Sequence, residues 1–130
     1  MAGVLEHVNL TVTDPEKTAE MYEVVFGWVI RWAVDSELDG RTVHVGAPEN
    51  GESYLALYTE SECAPLGGSS YRTIGGLNHI AVLVDDLDAV EQRVIGVGYA
   101  THSHGDYHPG RRFYFHDADN IEYEVVSYAG

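Results

Sequence analysis

The stretch GVLEHVNLTVTDPEKTAEMYEVVFGW, Gly3 to Trp28, returns in altered form as GGLNHIAVLVDDLDAVEQRVIGVGY, Gly75 to Tyr99. Each copy reads as an apolar strand with His at its start, an Asp-rich turn and an amphipathic helix. In the first, Leu5 to Thr13 alternates, with Leu5, His7, Asn9 and Thr11 on one face and Val8, Leu10 and Val12 on the other. Asp14 suits an N-cap, Pro15 the first helical position, and Gly27 the stop after Phe26. In the second, Asn78 to Val84 is the strand, Asp85-Asp86 caps a helix through about Val94, and Gly96 and Gly98 end it. His7 and His79 lie 79 − 7 = 72 residues apart. A repeat that sets His at one point of each copy can bring two imidazoles together across a pseudo-twofold axis. With a carboxylate from a third strand they form a two-His, one-carboxylate set that leaves coordination positions open for substrate.

Working outward, Trp28 to Val34, Arg41 to Gly46 and Tyr54 to Tyr58 read as strands, with Asp39-Gly40 as a tight turn between the first two. TESECAPLGGSSYRTIGG, Thr59 to Gly76, is rich in Gly and Ser and reads as a linker. The second half then expects a strand near Tyr99 to His102, a polar loop, and a closing hairpin of Arg112 to His116 and Ile121 to Ser127 across Asp117-Ala118-Asp119-Asn120. The expected class is α+β: one domain, 1–130, made of βαβββ modules 1–58 and 75–130 joined by linker 59–74. One such module leaves a sheet face uncovered, so the two are expected to pair.

The 130 residues are 45% hydrophobic, enough for a core, and carry a formal charge of −14 from 21 acidic against 7 basic residues. That balance disfavours nucleic acid and anionic membrane surfaces as partners. No apolar run reaches the length of a membrane span, and a single cysteine, Cys63, excludes an internal disulfide. A cytoplasmic protein is expected. No stretch matches a phosphate loop, a dinucleotide fingerprint or a nucleophile elbow.

LEHVNLTVTD, GLNHIAVLVDD and FYFHDADNIEYEVV, in that order and spacing, resemble the vicinal oxygen chelate superfamily, which includes glyoxalase I, extradiol ring-cleavage dioxygenases, fosfomycin-resistance transferases and the metal-free bleomycin-resistance proteins. The resemblance implies two modules whose mixed sheet curls around a metal pocket, and usually a homodimer. It implies metal ligands at His7, His79 and Glu124, with Glu122 as the alternative two residues away. The family's remaining ligand position falls on Ala56, which cannot bind metal. A His-His-Glu triad suits Fe(II) or Mn(II), with Zn(II), Ni(II) and Co(II) arguable. The implied function is a metal-dependent enzyme acting on a small substrate held through vicinal oxygens. Extradiol-type ring cleavage leads; a lyase or isomerase, a thiol transferase, and a metal-free ligand-binding protein are the alternatives.

Around that triad, Tyr114 stands 124 − 114 = 10 residues before Glu124, the spacing at which extradiol dioxygenases carry an active-site tyrosine. THSHGDYHPG holds His102, His104 and His108, a run able to bind a second metal, serve as acid or base, or remain a solvated loop. His104 or His108 is the candidate acid–base group. Asn9, His44, Tyr54, Ala56 and Tyr58 are candidate substrate contacts, as are Arg111 and Arg112, one of which can hold an anion bidentately. The plainer reading for each is ordinary strand packing or a charge offsetting nearby acids.

Overall fold

Two alternating runs separated by a capped helix dictate the first half of the chain. The computed structural model describes residues 1–36, 39–48 and 53–128. These divide into two compact units, Met1–Ala64 and Pro65–Gly130. In the first, β1 (His7–Thr11), α1 (Pro15–Phe26), β2 (Val29–Asp35), β3 (Arg41–Gly46) and β4 (Tyr54–Thr59) form a mixed sheet in the order β1-β4-β3-β2. β1 pairs parallel with β4, and the other neighbours are antiparallel. The Asp14 carboxylate accepts from Lys17 N at 3.3 Å, and Gly27 closes α1 at φ 71°, a left-handed conformation that costs glycine little. Tyr22 and Val25 of α1 are fully buried, as are Val43, Val45 and Leu57 of the sheet face beneath it. β2 ends at Asp35 and β3 begins at Arg41, with Ser36 N donating to Gly40 O at 2.7 Å, so the connection is longer than the tight turn expected at Asp39-Gly40; residues 37 and 38 within it lie outside the described residues.

The second unit repeats the plan with β5 (Ile80–Leu83), α2 (Leu87–Gly96), β6 (Thr101–Tyr107), β7 (Gly110–His116) and β8 (Glu122–Ser127), in the order β5-β8-β7-β6. Asp86 caps α2 by accepting from Ala89 N at 3.1 Å. Val90 and Val94 pack on the side where Phe113, Phe115, Tyr123 and Val125 are buried. Both units are therefore four-stranded mixed sheets with one helix each, the α+β plan of two βαβββ modules. Among the described residues no helix is long and apolar enough to cross a membrane.

Two expectations are corrected. β1 and β5 are shorter than Leu5 to Thr13 and Asn78 to Val84, because β4 and β8 offer partners only along Tyr54–Tyr58 and Tyr123–Val126. The strand expected near Tyr99 to His102 is β6, which starts at Thr101 and runs on to Tyr107, paired with β7, through a segment read as a polar loop. It is an edge strand, largely exposed, so no apolar alternation marks it. A bulge between His102 and Gly105, with Ser103 at φ 56°, further breaks its period.

The closing turn rests on Asp117. Its carboxylate accepts from Asp119 N at 2.9 Å, Ile121 N at 3.0 Å and the Tyr123 hydroxyl at 2.7 Å. Asn120 takes φ 61°, which Asn tolerates better than most residues. Removing this shared acceptor in Asp117→Ala is expected to cost about 2–4 kcal/mol in urea unfolding. Asp117→Asn, which keeps an acceptor, is expected to cost under about 1 kcal/mol. Burial holds the Asp117 carboxyl above its ordinary range, outweighing the three donors. A group whose folded pKa is raised favours folding at low pH, and that contribution is lost as pH rises through the folded value. Stability of the Asn variant, followed from acid to neutral pH, is expected to fall less than that of the wild type.

Candidate metal centre

On the face of the second sheet turned away from α2, alternation along β7 and β8 sets Arg112, Tyr114 and His116 beside Glu122 and Glu124. The register pairs Tyr114 with Glu124 and His116 with Glu122. His79, just ahead of β5, brings Nε2 to 3.3 Å from Glu124 Oε1. The other carboxylate oxygen, Oε2, accepts from Arg112 Nη1 at 2.7 Å. The side chains of Arg112 and Glu124 are only 10% and 12% exposed, so this ion pair is largely desolvated.

The His79 ring is fixed from its other side. Nδ1 lies 3.2 Å from the Tyr71 hydroxyl, which donates its single hydrogen to Glu122 in a short bond. The hydroxyl oxygen must then accept from His79 Nδ1–H, leaving Nε2 to face Glu124. That donation pushes the Tyr71 hydroxyl up to about 12. Two donor atoms bound at about 2.1 Å to one cation sit roughly 3.0–3.4 Å apart for right-angle or tetrahedral geometry. The 3.3 Å between His79 Nε2 and Glu124 Oε1 fits that span. Arg112 and Tyr71 each hold one of these two side chains from its other side. Tyr114 stands edge-on to His79, ring centroids 5.7 Å apart. Burial raises its hydroxyl pKa, with donation to Glu124 adding to the effect.

The first unit carries the matching face, away from α1. His7 Nδ1 and the Tyr54 hydroxyl both reach Glu6 Oε1, at 3.0 and 3.1 Å. The rings of His7 and Tyr54 stack at 4.9 Å, Tyr54 and His44 at 4.5 Å, and His44 and Trp32 at 4.8 Å. Burial holds the His44 imidazole below its usual range, with the neighbouring charge of His7 second. Asn9 lies opposite Ala56 and Thr11 opposite Tyr58. The Tyr58 hydroxyl donates to Glu60 in a short bond that pushes it up to about 12.

The registers make the two halves equivalent. In the first unit the residue two past His7, Asn9, pairs with Ala56, which pairs onward with His44. In the second, the residue two past His79, Ala81, pairs with Glu124, which pairs onward with Tyr114. Ala56 thus holds the place of Glu124, and His44 the place of Tyr114.

Other candidates are not brought together. His104 turns to the helix side of its sheet, 2.5 Å from Glu91 of α2 and stacked over Phe113 at 6.2 Å. Arg111 also lies on that side, bonded to Asp88 at 2.9 Å, and so not at the rim expected for it. His108 is exposed between β6 and β7. Sequence reasoning missed Tyr71, an aromatic residue inside a Gly- and Ser-rich stretch with no period to place it. It also missed Trp32 and His116. His116 was readable, since FYFH alternation sets it on the face of Tyr114.

A family model for the Glyoxalase/Bleomycin resistance protein/Dioxygenase superfamily matches residues 4–125. The chain belongs to that superfamily. Among solved structures, a glyoxylase/bleomycin resistance protein/dioxygenase domain from Frankia sp. EAN1pec is 26% identical, with 98% of each chain covered and a TM-score of 0.78. The fosfomycin resistance protein FosX from Mesorhizobium loti is 27% identical over 97% of this superfamily member and 92% of its own chain, with a TM-score of 0.73. A variant of FosX from Listeria monocytogenes, complexed with Mn(II) and 1S,2S-dihydroxypropylphosphonic acid, shares the fold at 21% identity, 98% and 93% coverage and a TM-score of 0.74. No curated protein matches the sequence.

Proposed function

We propose that this chain is a metal-dependent enzyme in which His79 and Glu124 of the second unit hold one divalent cation that receives a small substrate through adjacent oxygens. The observation that carries this reading is the 3.3 Å separation of His79 Nε2 and Glu124 Oε1, each set by its own outer partner. Imidazole and carboxylate donors suit Mn(II) or Fe(II), and the Listeria FosX complex holds Mn(II). When bound, such a cation supplies Lewis acidity to the chelated oxygens.

The chain's own residues handle protons. His44, held neutral by burial, is an acceptor, and Tyr114, held protonated, is a donor. A protonated Tyr114 edge-on to His79 favours proton-transfer chemistry of the isomerase or lyase type. Extradiol ring cleavage is the second reading, favoured by Tyr114 beside Glu124 and His79; His102, stacked on Tyr114 at 6.2 Å, then takes the part expected of His104.

Equilibrium dialysis of untagged protein against Mn(II) tests the reading, with about one Mn per chain expected. Anaerobic loading with Fe(II), then catechol and oxygen, separates ring cleavage from the first chemistry by whether a coloured cleavage product forms. No uptake of either metal would overturn the enzyme reading and leave a ligand-sequestering protein of the bleomycin-resistance kind.

A further inference from the structure

We propose a second metal site in the second unit, formed by His102, His116 and Glu122, that takes an imidazole-preferring transition dication such as Zn(II). It shares no metal ligand with the site proposed above, although Tyr71 contacts both His79 and Glu122 and His102 serves the ring-cleavage reading. One ligand atom from each of the three residues lies within 4.8 Å of the other two, and all three side chains are half-buried. His102 Nε2 is 3.1 Å from His116 Nδ1, and His116 Nε2 is 3.5 Å from Glu122 Oε2. The two rings are stacked, centroids 5.1 Å apart and 20° from parallel.

The fold builds this cluster from three strands. His116 and Glu122 are partners across the β7–β8 hairpin, and His102 reaches His116 diagonally from β6, where its own partner is Tyr114. The bulge after His102 puts Ser103 at φ 56°, and the Ser103 hydroxyl meets His102 Nδ1 at 2.9 Å. With Nδ1 engaged, Nε2 is the nitrogen turned toward His116. Glu122 is fixed in the same way: Tyr71 donates to Oε1, which leaves Oε2 toward His116. Each outer contact occupies the atom a metal would not use, as around metal ligands. A cation would take one of the two His116 nitrogens, so the three donor atoms, within 4.8 Å of one another, must close by up to about 1.5 Å to meet bonds of about 2.0–2.1 Å. Nitrogen and oxygen donors of any such site bind Zn(II) and Cu(II) more tightly than Mn(II), which makes Zn(II) the probe for this one.

The test is Zn(II) stoichiometry on untagged wild type, His116→Ala, His79→Ala and the double variant, by equilibrium dialysis with circular dichroism to confirm folding. Expected values are two Zn per chain in the wild type, one in each single variant and none in the double. His102→Ala, on the exposed edge strand, repeats the His116→Ala result if that variant does not fold. Cu(II) bound to His79→Ala is expected to show splitting from two nitrogens in electron paramagnetic resonance. Zn uptake that is equal in the wild type, His116→Ala and His102→Ala overturns the proposal. One Zn in the wild type, lost in His116→Ala but kept in His79→Ala, supports it while counting against the His79–Glu124 site.

Discussion

His79→Ala is expected to weaken Mn(II) binding by at least about 100-fold. The substitution removes a donor atom outright, whereas loss of an outer contact alone costs roughly 10–100-fold. Tyr71→Phe provides that smaller case. It removes the oxygen that accepts from His79 Nδ1 at 3.2 Å and the hydrogen given to Glu122, so a loss nearer 10-fold is expected. The two variants therefore rank in a stated order, read from Mn(II) titrations followed by electron paramagnetic resonance. Unchanged affinity in His79→Ala would sink the site. Equal losses in both would mean that Tyr71, rather than His79, organises the donor atoms.

Arg112→Ala is expected to destabilise the metal-free protein by about 3 kcal/mol, because it leaves the Glu124 carboxylate largely buried without its cation. The Arg112 guanidinium also lies over the Tyr107 ring at 4.4 Å and donates to Gly110 O at 3.2 Å, so packing is lost together with charge. Saturating Mn(II) is expected to restore more stability to this variant than to the wild type, since a cation beside Glu124 replaces the missing one. Urea midpoints with and without Mn(II) measure both effects. An unchanged midpoint without metal would show that Glu124 does not depend on Arg112. Sequence reading offered Arg112 as an anion-binding group for substrate; in the fold its charge is already committed to Glu124.

The local pattern settled much of this architecture. Alternation in HVNLT and in FYFH, Asp at two N-caps and Gly27 after Phe26 all act within a few residues, and the strands and helices lie close to where those cues put them. The repeat also marked His7 and His79, because equal strand positions in two copies are visible as spacing, whereas Glu124 was implied by the family resemblance. The later part of β6, Ser103 to Tyr107, escaped notice because an edge strand has little apolar face to bury, so hydrophobic period carries no record of it.

Local cues fix the plan of two βαβββ modules and the side of each strand on which a residue stands, since a strand's period of two is local. Only the tertiary structure decided which atoms meet. Glu124 rather than Glu122 faces His79 Nε2 because Tyr71, from a segment without periodicity, occupies Glu122 and the far side of the ring. His104 faces α2 while His102 faces Tyr114, because a bulge between them resets the alternation. Register, bulges and the reach of a loop residue are set by pairing between distant segments, and spacing along the chain does not encode them.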